Sequence, residues 1–229
     1  LEAVLPDLFG FHLLQVEHLG GTDLVAASRV RTRVVMGVDD PPAGLSYPYI
    51  RADAEAMPVA TDNIDVVVLP HVLEFQGDPH QTLREVERVL VPEGHVVITG
   101  FNPWSLLGLR RLIPGRRRHE PWSGQFLAGP RVKDWLALLG FDVVYSGSCF
   151  YRPPFGNRRL MERLGGMERL DGSPWSLFGG VYVIVGRKRV VTLTPIRPTW
   201  RARSRLLSGG LAEPTTRAAA RERHQREVA

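Results

Sequence analysis

Cysteine is nearly absent. Cys149 is the one cysteine in 229 residues, so no internal disulfide can form and nothing points to an oxidising compartment. Long apolar runs are missing too: Val66–Leu69 and Val181–Val185 fall far short of the ~18 residues a membrane span needs, so no membrane partner is expected. No charged-then-apolar leader opens the chain, which makes a secretory signal unexpected and the cytoplasm the default. The first residue is Leu1 rather than Met, which leaves room for an upstream segment. No Cys-His pair, Ser-His-Asp constellation or internal repeat is present. His71 and Glu74 stand three residues apart, but no third ligand has metal-site spacing, so no metal is expected. What is there is an ordinary globular balance, 44% apolar and 23% charged with Gly 23 and Pro 18, which excludes wholesale disorder and a collagen.

The net charge of +5 is local. Residues 197–229 hold eight arginines (Arg197, Arg201, Arg203, Arg205, Arg217, Arg221, Arg223, Arg226) against Glu213, Glu222 and Glu227, and that surplus accounts for the whole excess. Of the rest, residues 1–100 are acidic and 101–196 basic. The expected division is a domain over 1–190 followed by an Arg-rich, disordered tail over 191–229. Such a tail suits nucleic acid or an acidic partner, though no aromatic follows Trp200 to stack on bases.

Strand and helix patterns alternate along the body. Phe11–Val16 reads as a strand entering the turn Glu17-His18-Leu19-Gly20-Gly21, and Thr22 or Asp23 caps a short helix over Leu24–Arg29. Val34–Val38 is a second strand ending at Asp39-Asp40, and Tyr47–Arg51 a third ending near Asp53. Ile64–Leu69 is β-branched without alternation, the mark of a strand covered on both faces. Asp78-Pro79 starts a helix over Pro79–Leu90, and Pro92-Glu93-Gly94 ends it before a strand at His95–Thr99. Residues 101–129 are irregular. A helix follows over Pro130–Leu139, then strands at Phe141–Tyr145 and Gly180–Val185. The alternation implies a mostly parallel sheet with helices on both faces, and ligands then sit at the carboxyl ends of the strands where strand order reverses.

The stretch Arg51–Gly100, RADAEAMPVATDNIDVVVLPHVLEFQGDPHQTLREVERVLVPEGHVVITG, has a distinctive order. An acidic-Ala-Glu with a Pro precedes an Asp opening an apolar strand, then come H-V-L-E, D-P and a helix, then P-x-G before a strand. In this it resembles the class I S-adenosylmethionine-dependent methyltransferases of type 11, and Gly140-Phe141 with GVYVIVGRKR extends the likeness to about residue 190. The resemblance implies a Rossmann-like three-layer α/β/α fold, with a mostly parallel seven-stranded sheet and an antiparallel hairpin at one edge. It also implies S-adenosyl-L-methionine as cofactor. Asp39 then matches the acid that holds the ribose hydroxyls, Asp53 with Ala54 the adenine edge, and Leu69, Pro70 and His71 the space beside the reactive methyl group.

The first turn departs from the family's acidic-x-Gly-x-Gly-x-Gly. Gln15 stands for the acid, Glu17 for the first glycine and Leu19 for the second, and only Gly21 is kept. Either Glu17 becomes the partner of the cofactor's ammonium, or cofactor binding is lost and a binding or scaffold protein remains. Methyl transfer is an in-line displacement that needs alignment and exclusion of water, with no covalent nucleophile. His71 is the candidate general base. Residues 101–129 form the expected substrate or lid insertion, with Phe101, Trp104 and Trp122 as an aromatic wall and Arg110, Arg111, Arg116, Arg117 and Arg118 facing an acidic group. A nicotinamide-dependent reductase is the weaker rival, since it needs the full glycine turn and a Tyr/Lys pair.

Overall fold

The computed structural model describes residues 1–17, 23–41, 44–105, 108, 123–149 and 179–189, all within the unit Leu1–Val191. Seven strands form one sheet: β1 (His12–Val16), β2 (Thr32–Gly37), β3 (Tyr49–Arg51), β4 (Ile64–Pro70), β5 (Leu90–Phe101), β6 (Phe141–Cys149) and β7 (Val181–Lys188). Their order is β3-β2-β1-β4-β5-β7-β6. The first five run parallel, while β7 pairs antiparallel with both β5 and β6, which is the expected Rossmann-like sheet with its antiparallel hairpin.

Alternation along each strand sorts side chains onto two faces. Leu14, Val16, Val67, Leu69, Val96, Ile98 and Ile184 share one core cluster with Leu83, Val86 and Val89 of α1 (Pro79–Val89) and Val132 and Leu136 of α2 (Gly129–Leu138). On the other face, Leu13, Val66, Val68, Val97 and Val185 pack with Leu5 and Leu8 near the amino end and with Val25 and Val30. Among the described residues, both α-helices thus cover one face, while a single 3-10 turn (Leu5–Asp7) and the 23–30 segment cover the other. Burial on both sides explains the unbroken apolar run of β4. No helix among the described residues is long and apolar enough to cross a membrane.

Helix α1 starts as its sequence dictates. Asp78 accepts hydrogen bonds from the His80 and Gln81 backbone N–H groups, and Pro79 fills the first helical position. Three local expectations change. Leu24–Ala27 is a turn rather than a helix: the Val25 carbonyl bonds Ser28 N–H three residues on, Asp23 Oδ1 bonds Val25 N–H, and the Arg33 guanidinium takes the Ser28 and Val30 carbonyls. Pro92-Glu93-Gly94 does not separate helix from strand, because β5 already begins at Leu90, opposite Ile64. The extra residues bulge before His95 meets Val66, with Glu93 in a left-handed conformation. Strands β6 and β7 run to Cys149 and Lys188, since hairpin pairing carries both past the apolar residues visible in sequence.

Candidate active site

Strand order reverses between β1 and β4, and the residues that follow those strands are Glu17 and His71. Both hold left-handed backbone, φ 62° and 56°, unusual for residues with a Cβ and costing about 1–2 kcal/mol each. The other two such residues among those described, Asp62 and Glu93, lie away from the carboxyl ends of the strands. Strain gathered at a switch point marks a place where the surroundings impose a geometry.

Glu17 is held in its left-handed shape by its neighbours. The buried Gln15 side chain secures it by donating from Nε2 to the Glu17 carbonyl at 2.8 Å, while Glu17 N–H bonds the Met36 carbonyl. The Glu17 side chain reaches across to β2, where Oε1 takes the Val38 N–H at 3.4 Å and Oε2 sits against Gly37. A Cβ at Gly37 would come within 2.6 Å of the Tyr49 hydroxyl and 3.1 Å of Glu17 Oε2, so glycine there makes room for this crossing. Burial raises the Glu17 pKa above the ordinary carboxylate range, the Val38 N–H opposes that, and the charges of Asp39 and Asp53 add to the rise. The charges of Asp39, after β2, and Asp53, after β3, thus both act on the Glu17 carboxylate after β1.

Asp39 is exposed at the end of β2, and its carbonyl takes the Tyr49 hydroxyl proton at 2.6 Å. Asp53 is exposed at the end of β3. One of its oxygens accepts the Glu55 N–H, so it also caps the turn after it. Arg51 is engaged with Asp40 and the Val38 carbonyl. Ala54 and Leu69 are wholly enclosed in the core and Pro70 is buried, so a ligand finds no side-chain surface on them. What they contribute is the path that delivers Asp53 and His71. Gly21 and Trp122 lie outside the described residues, as do Leu19, Arg110, Arg111, Arg116, Arg117, Arg118 and the arginines of the tail.

Around His71 the structure assembles more than the sequence announces. Its N–H bonds the Thr99 carbonyl, and its Nδ1 lies 3.3 Å from Glu74 Oε1. The Phe101 ring stacks on the imidazole at 4.0 Å between centroids, and Phe126 stacks on Phe101 at 5.1 Å. Of the residues expected to form an aromatic wall, Phe101 is stacked with Phe126 and His71, while Trp104 stands 72% exposed. Glu74 is 1% exposed, and its Oε1 also accepts the Phe101 N–H at 2.6 Å. Among the described residues its Oε2 and the buried Tyr182 hydroxyl have no hydrogen-bond partner, and burial together with the Glu74 charge pushes the Tyr182 phenol upward. Among the described residues no three potential metal ligands converge. In the sequence Glu74 stands out as the last residue of H-V-L-E and by its spacing three residues after His71.

One prediction arises here. The folded protein holds the Glu17 proton more tightly than the unfolded chain, so ionising it costs stability as pH climbs through the raised range. Glu17→Gln keeps an acceptor for Val38 N–H and removes that cost. Thermal unfolding is expected to rise by about 1–2 °C at pH 7 and to stay level at pH 4. A fall at pH 7 would show the charge to be stabilising.

Comparison with known proteins places this geometry. Residues 16–98 match the type 11 methyltransferase model, described as "Methyltransferase domain". The chain is 35% identical over 187 residues to the uncharacterized protein YafS of Escherichia coli, covering 82% of this chain and 72% of that protein. It is 29% identical to a malonyl-[acyl-carrier protein] O-methyltransferase of Halorhodospira halophila, over 65% of this chain and only 55% of that protein. In fold it resembles the crystal structure of an S-adenosylmethionine-dependent methyltransferase from Thermotoga maritima, with TM-score 0.59 and 18% identity over 82% of this chain and 87% of that one. Together, the matched motif, the strand order and the relatives identify the chain as a member of the class I, type 11 methyltransferase family.

Proposed function

We propose that the protein transfers a methyl group from S-adenosyl-L-methionine to an acceptor, with the cofactor held at the carboxyl ends of β1, β2 and β3. The observation that carries this reading is the placement of Glu17, Asp39 and Asp53 just after β1, β2 and β3, where the charges of both aspartates repel that of Glu17. A ligand carrying a sulfonium and an ammonium relieves that repulsion. A dinucleotide would add a pyrophosphate to it, which disfavours nicotinamide chemistry. Asp39, exposed and with its carboxylate open, suits the two hydroxyls of a ribose. Asp53 borders the adenine edge, and Glu17 supplies negative charge near the sulfonium and ammonium. When bound, the cofactor supplies an electrophilic methyl carbon; the protein's work is to align the acceptor with the carbon–sulfur axis and keep water away. His71, across the switch point from Glu17, lies on the acceptor side.

Calorimetric titration tests the assignment. Wild-type protein is expected to bind S-adenosylmethionine and its demethylated product, and Asp39→Ala to bind about 30-fold more weakly, as two hydrogen bonds to a carboxylate worth about 2 kcal/mol are lost. Affinity should also fall as pH drops through the raised titration range of Glu17. Absence of binding heat and of thermal stabilisation in the wild type would overturn the proposal.

A further inference from the structure

We infer that Glu74 is a positioning residue that makes His71 a proton acceptor, and that the methyl acceptor is a neutral, flat hydroxyl compound of the phenol or enol class. This rests on the methyltransferase reading above and goes beyond it by naming the acceptor chemistry.

The imidazole is fixed on three sides. The backbone of His71 is tied to Thr99, one ring face lies on Phe101, and Nδ1 meets the Glu74 carboxylate. With Nδ1–H donating to Glu74, Nε2 is the nitrogen left with a lone pair, in a side chain still 13% exposed. Glu74 does more than staple the Phe101 N–H. The same Oε1 also faces His71 Nδ1, and Oε2 is enclosed with no hydrogen-bond partner among the described residues. An imidazole that takes a proton on Nε2 during the reaction thus has a carboxylate oxygen 3.3 Å from Nδ1. The Tyr182 phenol is also near Glu74, and burial keeps it neutral.

The acceptor class follows from what such a base is for. A carboxylate or neutral amine presents its lone pair without losing a proton first, and an anion would be repelled by Glu74 and by the carboxylates across the crevice. A hydroxyl gains most. As its oxygen lone pair forms the bond to the methyl carbon, the carbon–sulfur bond breaks and its electron pair stays on sulfur, giving a neutral thioether. The hydroxyl proton passes to Nε2 and later to solvent. The Phe101–Phe126 stack beside the imidazole offers a flat apolar surface to a ring or enol.

Two experiments test this. Nitrogen NMR of the histidines in the free protein is expected to show neutral His71 protonated on Nδ1, with the preference lost in Glu74→Gln; an Nε2–H tautomer in the wild type would overturn the positioning role. In turnover assays with S-adenosylmethionine, simple phenols such as catechol should be methylated in preference to carboxylic acids and primary amines. Glu74→Gln and His71→Asn should each lower kcat at least 100-fold with KM and cofactor affinity little changed, and Glu74→Asp should recover part of the loss. With a nitrophenol already ionised at the assay pH, the variants should approach the wild-type rate, which a merely structural defect would not allow. Transfer to carboxylates or amines alone, to none of the phenols, or undiminished in both variants overturns the inference, whereas failure to bind S-adenosylmethionine at all counts against the methyltransferase reading itself.

Discussion

Gly100→Ala is expected to lower the unfolding temperature by about 6–12 °C, a cost of about 3 kcal/mol. Gly100 sits near the end of β5, paired on its β7 side directly with Tyr182. A Cβ there would overlap the Tyr182 hydroxyl and Cζ and come within 3.0 Å of Glu74 Oε1. None of the three can retreat easily, because Tyr182 is buried and Glu74 is tied to Phe101 and His71. The methyl group would therefore press on the partners of His71 while leaving the carboxylates at the ends of β1 to β3 untouched. Turnover should fall much further than affinity for S-adenosylmethionine. Tyr182→Leu in the same chain should recover most of the lost stability, which differential scanning calorimetry of the double-mutant cycle would read directly. If the single variant melts at the wild-type temperature, the space around Gly100 is looser than the geometry implies.

Lys188→Met should cost about 2–4 kcal/mol, measured as a lowered urea midpoint with an unchanged slope. The ammonium of this buried lysine, at the end of β7, donates to Asp62 Oδ1 at 2.9 Å and to the carbonyls of Glu87 and Leu90 at 2.7 and 2.8 Å, with Glu87 Oε1 also within 3.2 Å. Those carbonyls belong to the end of α1, where no further turn supplies N–H donors and the helix dipole favours a cation. One side chain thus ties β7, the loop before β4 and the helix terminus. Methionine fills much of the volume but leaves two carbonyls without that donor. Asp62→Ala should be milder, below about 1 kcal/mol, since that carboxylate is half exposed. Equal effects from the two would mean that the ion pair, rather than the carbonyl bonds, carries the contact.

Legibility in the sequence followed the range of the forces involved. The start of α1 is local: Asp78 and Pro79 act on N–H groups two and three residues away, and both were readable from their neighbours. The buried strand β4 was readable because burial on both faces leaves its mark on every residue. The turn at Glu17 was readable as a departure from the pattern the resemblance implies, and the structure adds that its backbone is left-handed. The direction of its side chain was hidden, because Gly37 and Val38 of another strand decide it. Glu74 was hidden for the same reason: its partners, Phe101 N–H and the neighbourhood of Tyr182, come from β5 and β7. Likewise the helix expected over Leu24–Arg29 gave way to a turn held in part by Arg33, a residue of the next strand.

The position of β7 bears on how the molecule is made. It is the last described strand along the chain, yet it fills the slot between β5 and β6. During synthesis β5 therefore presents an open, β-branched edge until Val181–Lys188 has emerged, and such an edge invites pairing with neighbouring nascent chains. A ribosome paused before residue 181 would hold β5 with that edge unpaired, and once β7 is in place Lys188 ties it to Asp62 and to the end of α1.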